Sequence, residues 1–461
     1  MIKRWGNSNG YRDVLAISMP LVASMGSLTL MQFTDRMFLS KYSVETISAS
    51  VPAGIASFTA ISFFMGVGSY TNAFVSQYTG AGEERRVGAS LWQGIYFSLI
   101  SGILLALLYF MSDPIFDFIG HSEPIRALEK DYFEILILGA GLSVLTPTMS
   151  TFYTGRGKTW MTMAVNMIGA TINIPLDYCL INGIGPFPEL GIKGAAIATV
   201  ISPGVMVLLF GILILGPKNR AVFGTWSGKA FDKDLFLRLM RYGLPSGFQI
   251  FLEISGFTFF IQMVGRLGSL ELATSNIVLA LESLAFLPMV GFHIGTATLV
   301  GQAIGRKKPE DGVYATTSSL HITLLYMIFI AVLFVLAPDP LLNLFKAGDY
   351  SMAEYDEIRN LGKILLRFVL VFCLFDALNL IFSGAIKGAG DTRFIMWAVG
   401  AISLCVMIIP TYLAVEIFGG KIYAVWTIAT LYACVLGTAF MLRYKQGKWK
   451  GMKVIEEELI T

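Results

Sequence analysis

The chain has 461 residues, 55% of them hydrophobic and only 14% charged, where soluble proteins carry about 25% charged residues, so a soluble enzyme is excluded. Its 34 basic and 31 acidic residues leave a net charge of +3, too small a surplus to draw in a nucleic acid. Cys179, Cys373, Cys405 and Cys434 all stand in apolar stretches, and His121, His293 and His321 are scattered without ligand spacing, so neither a disulfide framework nor a metal centre built on them is expected.

A bilayer core about 30 Å thick asks for about 20 apolar residues per helix. The first ten residues carry Lys3 and Arg4 but no short apolar run ending at a small-residue cleavage site, so no signal peptide is expected. Twelve stretches meet the length, at 14–39, 52–78, 90–112, 131–153, 160–182, 194–215, 243–264, 276–301, 314–337, 362–384, 394–416 and 423–442. They lack the ten-residue alternation of an outer-membrane barrel. The expected fold class is an all-α membrane protein with twelve transmembrane helices in a lipid bilayer. About two thirds of the basic residues fall in the N-terminus, the even-numbered loops and the C-terminus, among them Arg85, Arg86, Arg306, Lys307, Lys308 and the run from Arg443 to Lys453. Both termini are therefore expected in the cytoplasm. The short loops point to the cytoplasmic (inner) membrane of a prokaryote.

The longest basic connection, 216–241, lies mid-chain. It reads as a cytoplasmic linker between an N-terminal lobe, 1–215, with helices 1–6, and a C-terminal lobe, 242–461, with helices 7–12 and a cytoplasmic tail. The halves resemble each other. Pro20 and Pro245 open the first and seventh helices at an offset of 225 residues, which also relates Val75-Ser-Gln77-Tyr-Thr-Gly80 to Val300-Gly-Gln302-Ala-Ile-Gly305. Gly155-Arg-Gly157-Lys-Thr159 matches Gly388-Ala-Gly390-Asp-Thr392 at 233, and Pro175 matches Pro410 at 235. Six is even, so the copies run in parallel, one of the two symmetric plans of secondary transporters.

Gly157-Lys158-Thr159 looks like the end of a phosphate-binding loop, but Phe152 stands where its first glycine belongs, so no nucleotide is expected. Without a soluble ATPase domain, any pumping must draw on an ion gradient or the membrane potential. Nothing in the sequence sets an oligomeric state.

Ionisable residues within membrane helices are functional candidates by default. Asp35, Asp177, Glu253, Glu282 and Asp376 lie well inside the stretches, and no lysine or arginine is expected equally deep, Arg36 and Arg367 falling toward helix ends. Buried carboxylates without a counter-charge must be protonated or bind a cation. Asp35 and Asp177 lie about 32 and 26 Å from their cytoplasmic ends at 1.5 Å per residue, in the outer half of the bilayer. Asn173 shares a helix face with Asp177, and Pro175 between them removes a backbone hydrogen bond, freeing a carbonyl. Such an oxygen-rich set suits a hard cation or a proton; a polar network that merely joins helices is the alternative. Glu253 and Asp376, about 15 and 21 Å in, sit toward the middle of the bilayer, and Glu282 about 9 Å from the outer end of its helix. The first-half and second-half acids are not related by the repeat, so the halves share a scaffold and differ in chemistry.

Twelve helices in two parallel halves, the V-[SG]-Q-x-x-G turns after helices 2 and 8, and Gly-x-Gly-x-Thr after helices 4 and 10 resemble the multidrug and toxic compound extrusion transporters, especially their NorM branch, over nearly the whole chain. The resemblance implies two six-helix lobes forming a V-shaped cleft, and export of organic cations in exchange for Na⁺ or H⁺, with no other cofactor. It implies that Asp35 is the first-lobe acid and that Asn173 and Asp177 are its cation partners, with Thr199 the candidate for the helix 6 threonine that completes that site. Glu253 and Asp376 match the second-lobe acids; Glu282 rests on its depth alone.

The expected activity is cation-coupled antiport, not catalysis. Na⁺ or H⁺ binding to the acids would release a bound cationic, amphipathic drug outside, and loss of the ion to the cytoplasm would free the carboxylates for the next substrate. Pro20 and Pro175 are candidate kinks, and an aromatic and Met-rich pocket is expected. A related flippase for a lipid-linked sugar is the closest alternative, but its phosphates would call for a basic cleft. For an intramembrane aspartyl protease, the nearest signature, Gly388-Ala-Gly390-Asp391, falls in a predicted cytoplasmic loop. A passive channel would conduct without exchange.

Overall fold

In hydrocarbon every backbone polar group must be satisfied within its own segment, so long apolar stretches become helices. The computed structural model describes residues 2–345 and 352–456, the side chains of 2, 3, 352 and 353 excepted. After a one-turn helix at Ile2–Trp5, α1 runs from Tyr11 to Tyr42. Its start is held by Asp13, whose carboxylate accepts the Asn9 N–H at 2.8 Å. Ser43, extended and accepting the Thr46 N–H at 3.1 Å, caps the next helix, as short hydroxyl side chains do at helix starts. That helix, α2, spans Val44–Ala81, followed by α3, Glu84–Ile119. Both end at a left-handed glycine, Gly82 (φ 79°) and Gly120 (φ 77°).

The fourth element, α4, is a pair, Glu123–Leu138 and Ala140–Thr154, bent by 42°. The break falls at Gly139, where a side chain would strike the methyl groups of Val200. The first half closes with α5, Thr159–Asn182, and α6, Ile192–Ile214. The second half contains α7 (Lys233–Gly265), α8 (Ser269–Gly305), α9 (Pro309–Leu336), α10 (Met352–Ala389), α11 (Thr392–Ile417) and α12 (Ile422–Lys445). Among the described residues eleven helices are long and apolar enough to cross a membrane, and the bent pair makes twelve.

The repeat motifs have steric reasons. A side chain at Gly155 would sit 2.7 Å from Val75 of α2, and one at Gly388 would strike the Ala297 carbonyl of α8. The first glycine of Gly-x-Gly-x-Thr thus lets α4 lie against α2, and α10 against α8. The second, Gly157 (φ 72°) or Gly390 (φ 119°), ends the helix in a conformation that favours glycine. The prolines differ. Pro175 lies inside a regular helix, whereas Pro410 is flanked by wide π-helical turns at Ser403–Ile408 and Leu413–Ile417. Such turns commonly mark functional positions.

The chain forms two compact units. The first-half unit holds residues 23–251, 305–307 and 453 onward; the second-half unit holds residues up to 22, 252–304 and 308–452. The divisions fall within α1 and within α7, so each helix that opens a half gives its first turns to the other unit. The first-half unit has one apolar core around Phe74, Phe152 and Phe210 and another around Phe116 and Phe133. The second-half unit is built around Phe260 and Trp426, around Phe440 and Trp449, and around Val14 of α1 with Phe292. The connection 216–232 packs within the first-half unit. Trp92 donates to the Thr225 carbonyl at 2.7 Å, and the Arg156 guanidinium lies 3.8 Å from the Phe223 ring centre. Burial holds that guanidinium below its ordinary pKa.

Candidate functional site

In the first-half unit α1 presents Asp35 and α5 presents Asp177, and the two carboxyl groups lie within hydrogen-bonding reach of each other. Neither supplies a donor while ionised. Asp35 Oδ1 and both Asp177 oxygens are buried without a hydrogen-bond partner. One turn before Asp177, Asn173 is 1% exposed, and its amide oxygen and nitrogen are likewise buried and unpartnered. Tyr132 of α4 and Arg36 of α1 lie within electrostatic range of the pair. Two apposed carboxylates cannot both stay charged in a dry site unless a proton or a cation sits between them. Two carboxyl groups and, one helical turn away, an unpartnered amide make a donor set that fits a hard cation. Thr199 stands on α6, partly buried, outside the contacts that join Asp35 to Asp177.

The second-half unit gathers a separate acidic cluster. Asp376 on α10 accepts a 3.0 Å hydrogen bond from Asn379, and its Oδ2 is buried without a partner. Glu253 of α7 and Glu282 of α8 both lie within electrostatic range of Asp376. Tyr432 of α12 reaches Glu253 and Asp376 and accepts a 3.2 Å hydrogen bond from Ser403. Glu282 lies farther from its helix start than the stretch 276–301 implied. α8 starts at Ser269, which puts Glu282 about 20 Å along it.

Near this cluster stand Lys387, not singled out from sequence, and His293, set aside there with the other scattered histidines. The tenth helix continues past its expected end at 384 to Ala389, so Lys387 lies inside it and within electrostatic range of Glu253. His293 of α8 makes a 2.8 Å hydrogen bond to the Leu380 carbonyl and lies 3.5 Å from Ser383. Gly384 makes room for this, since a side chain there would stand 2.7 Å from the His293 carbonyl. Leu380, Ser383 and Lys387 share one face of α10 with Asp376, a spacing that could have exposed Lys387. Tyr132 left no such trace, because aromatic residues are common in these helices. The other histidines make local contacts: His121 with the fully buried Glu129 at 2.6 Å, and His321 with the Tyr11 hydroxyl at 2.9 Å.

The MatE family profile matches this chain twice, over residues 20–179 and 245–413. Each match starts on a repeat proline, Pro20 or Pro245. The chain belongs to the MatE family. It is a multi-pass membrane transporter of the multidrug and toxic compound extrusion type. Among similar MatE proteins, the probable multidrug resistance protein NorM of Thermotoga maritima is 24% identical, over 97% of this chain and 95% of the relative. The protein of that name in Pseudomonas syringae pv. tomato is 28% identical over 82% of each chain. Two solved structures share the MatE fold at 20% identity and a TM-score of 0.86. One is an outward-facing multidrug resistance MATE family transporter of the MOP superfamily, covering 96% of this chain and 97% of that one. The other is a MOP superfamily transporter from Pyrococcus furiosus whose binding pocket is described as reversed in polarity, covering 98% and 99%.

Proposed function

We propose that this transporter is a multidrug efflux antiporter that exports organic cations in exchange for Na⁺ or H⁺ by alternating access. The observation that carries the reading is the apposition of Asp35 and Asp177 beside the unpartnered Asn173. In this reading Asp35, Asn173 and Asp177, with Thr199 as a further ligand, hold Na⁺ or a proton. Glu253, Asp376 and Glu282 form the second-half site for the ion or the cationic drug. Ion and drug compete for the same negative charge, which links the two flows. The names of the NorM relatives support drug export, and the basic loops support an inner-membrane protein with both termini in the cytoplasm.

The test is efflux of a fluorescent organic cation from proteoliposomes, with Na⁺ and H⁺ gradients imposed separately at clamped potential. A gradient of one ion should drive efflux, and Asp35→Asn and Asp376→Asn should each abolish the coupling. Folded protein that moves no tested cation under either gradient would overturn the reading. Lys387 beside Glu253 favours a second one, a substrate carrying a negative group such as a lipid-linked sugar phosphate. In that case anionic lipid would compete for the site and organic cations would not.

A further inference from the structure

The connection after α6 and the segment after α12 are copies of each other. Gly224-Thr-Trp226-Ser-Gly228 recurs as Gly447-Lys-Trp449-Lys-Gly451 at an offset of 223 residues. Each copy begins at a left-handed glycine, φ 58° and 72°, followed by a 3₁₀ turn. Their tryptophans have opposite fates. Trp226 is 49% exposed, whereas Trp449 is 1% exposed, stacked on Tyr444, donating to the Tyr444 carbonyl at 3.1 Å and facing Gly312, where an added methyl would stand 3.4 Å from the indole. Trp449 thereby anchors the end of α12 within the second-half unit.

Five residues later the chain is anchored again, in the first-half unit. The Val454 N–H donates to Gln77 Oε1 at 2.9 Å, and the Tyr242 hydroxyl donates to the Lys453 carbonyl at 3.3 Å. Val454 and Ile455 are 1% and 5% exposed and join the core that contains Phe74, Tyr78, Leu235 and Leu239. Glu456 accepts a 2.6 Å hydrogen bond from Tyr78, pairs with Arg238, and lies 3.6 Å from Arg86. Arg86 also holds Asp232 at 3.0 Å, and Asp232 caps α7 by accepting the Leu235 N–H. The first Val-x-Gln-x-x-Gly motif, expected as a turn, lies in the last turns of α2, and its glutamine is the receptor for a backbone N–H of the tail.

Five residue steps from Trp449 to Val454 span at most about 18 Å when fully extended. A change of state that carries these two anchor points beyond that reach must undo one of them. The Trp449 anchor is a fully buried indole, and apolar burial is the larger holding force. The Val454 anchor depends in addition on the partly solvated ion pairs of Glu456 with Arg238 and Arg86, which water and salt can replace, so it is the one to yield. We propose that Lys453–Glu456 is a releasable clasp, docked on Gln77, Tyr78, Arg86 and Arg238 in the state seen here and undocked when the transporter changes state.

The test uses Val454→Cys in the full chain with its four native cysteines replaced by alanine, treated with a bulky maleimide in liposomes without substrate. Docked, position 454 should react slowly; adding Arg238→Ala or Glu456→Gln should speed the reaction at least about ten-fold. In a second arm, Gln77→Cys with Val454→Cys is bridged by a short cleavable cross-linker, which should stop transport until it is cleaved. Unchanged alkylation in both charge variants, or a bridged protein that transports at the full rate, would overturn the clasp. If the unbridged protein moves no cation at all, the export reading fails, and the alkylation arm still decides the clasp.

Discussion

Asp35 and Asp177 face each other in the first-half unit without a donor between them. In a site arranged only for stability, one partner would be an amide or a hydroxyl, because an apposed pair of buried acids costs free energy. Under the proposed antiport the pair is held ready for a positive charge. Asp177→Asn supplies a donor to Asp35 and removes the second buried charge. Melting should stay level or rise, by about 1 kcal/mol of stability, while gradient-driven efflux falls at least about ten-fold, within the usual range of coupling energies. A variant that melts early yet transports normally per folded molecule would show that the pair serves helix packing.

Lys387 of α10 lies within electrostatic range of Glu253, one member of the carboxyl cluster of the second-half unit. With that positive charge removed, Glu253, Asp376 and Glu282 should hold an organic cation more tightly. Lys387→Met is expected to lower the Kd of a fluorescent cation about three- to ten-fold at low salt, as a charge at intermediate range in a partly shielded site would, and Lys387→Arg to leave it near the wild-type value. Weaker cation binding in Lys387→Met would instead make the lysine part of the substrate contact.

Helix number and the parallel repeat were legible because bilayer thickness and the Pro20–Pro245 offset act on sequence directly. The acids Asp35, Asp177, Glu253 and Asp376 stood out because a charge in an apolar stretch has few innocent explanations. Lys387 escaped notice because hydropathy places its helix end at 384, and only the packing of Gly384 and Gly388 against His293 and Ala297 shows the helix continuing. The membership of α1's first turns in the second-half unit was also hidden. It depends on a core that Val14 shares with Phe292, Leu299 and Ile381, residues far away in sequence.

Two glycines separate side-chain crowding from backbone crowding. A methyl at Gly139 would strike the Val200 side chain, whereas one at Gly388 would strike the Ala297 carbonyl. Both Gly139→Ala and Gly388→Ala should destabilise the protein by about 1–3 kcal/mol, as overpacking does. Adding Val200→Ala should restore part of the loss in Gly139→Ala, because the two methyl groups nearest the added carbon are then gone and only the Cβ of residue 200, at 2.9 Å, remains. No side-chain change at Ala297 should rescue Gly388→Ala. Equal rescue, or none, in detergent melting curves would contradict this account of the bend in α4 and of the α8–α10 contact.

Docking of the tail should depend on pH in one direction. Burial alone would raise the Glu456 carboxyl, but hydrogen bonds from Arg238 and Tyr78 outweigh it and hold the group below its ordinary value of 4.5. A carboxylate depressed by folding adds stability that is fully present above the unfolded value and is lost as the pH falls through the folded one. The groups around it are Arg86, Arg238, Tyr78 and, through Arg86, Asp232. Hydrogen exchange at the Val454 amide, corrected for its intrinsic rate, should show level protection from neutral pH down to about 5 and a loss below 4.5. Glu456→Gln should show low protection with no step, and Asp232→Asn should keep the step. Protection that persists unchanged through the acid range would mean that the apolar contacts of Val454 and Ile455 hold the tail without help from its charge.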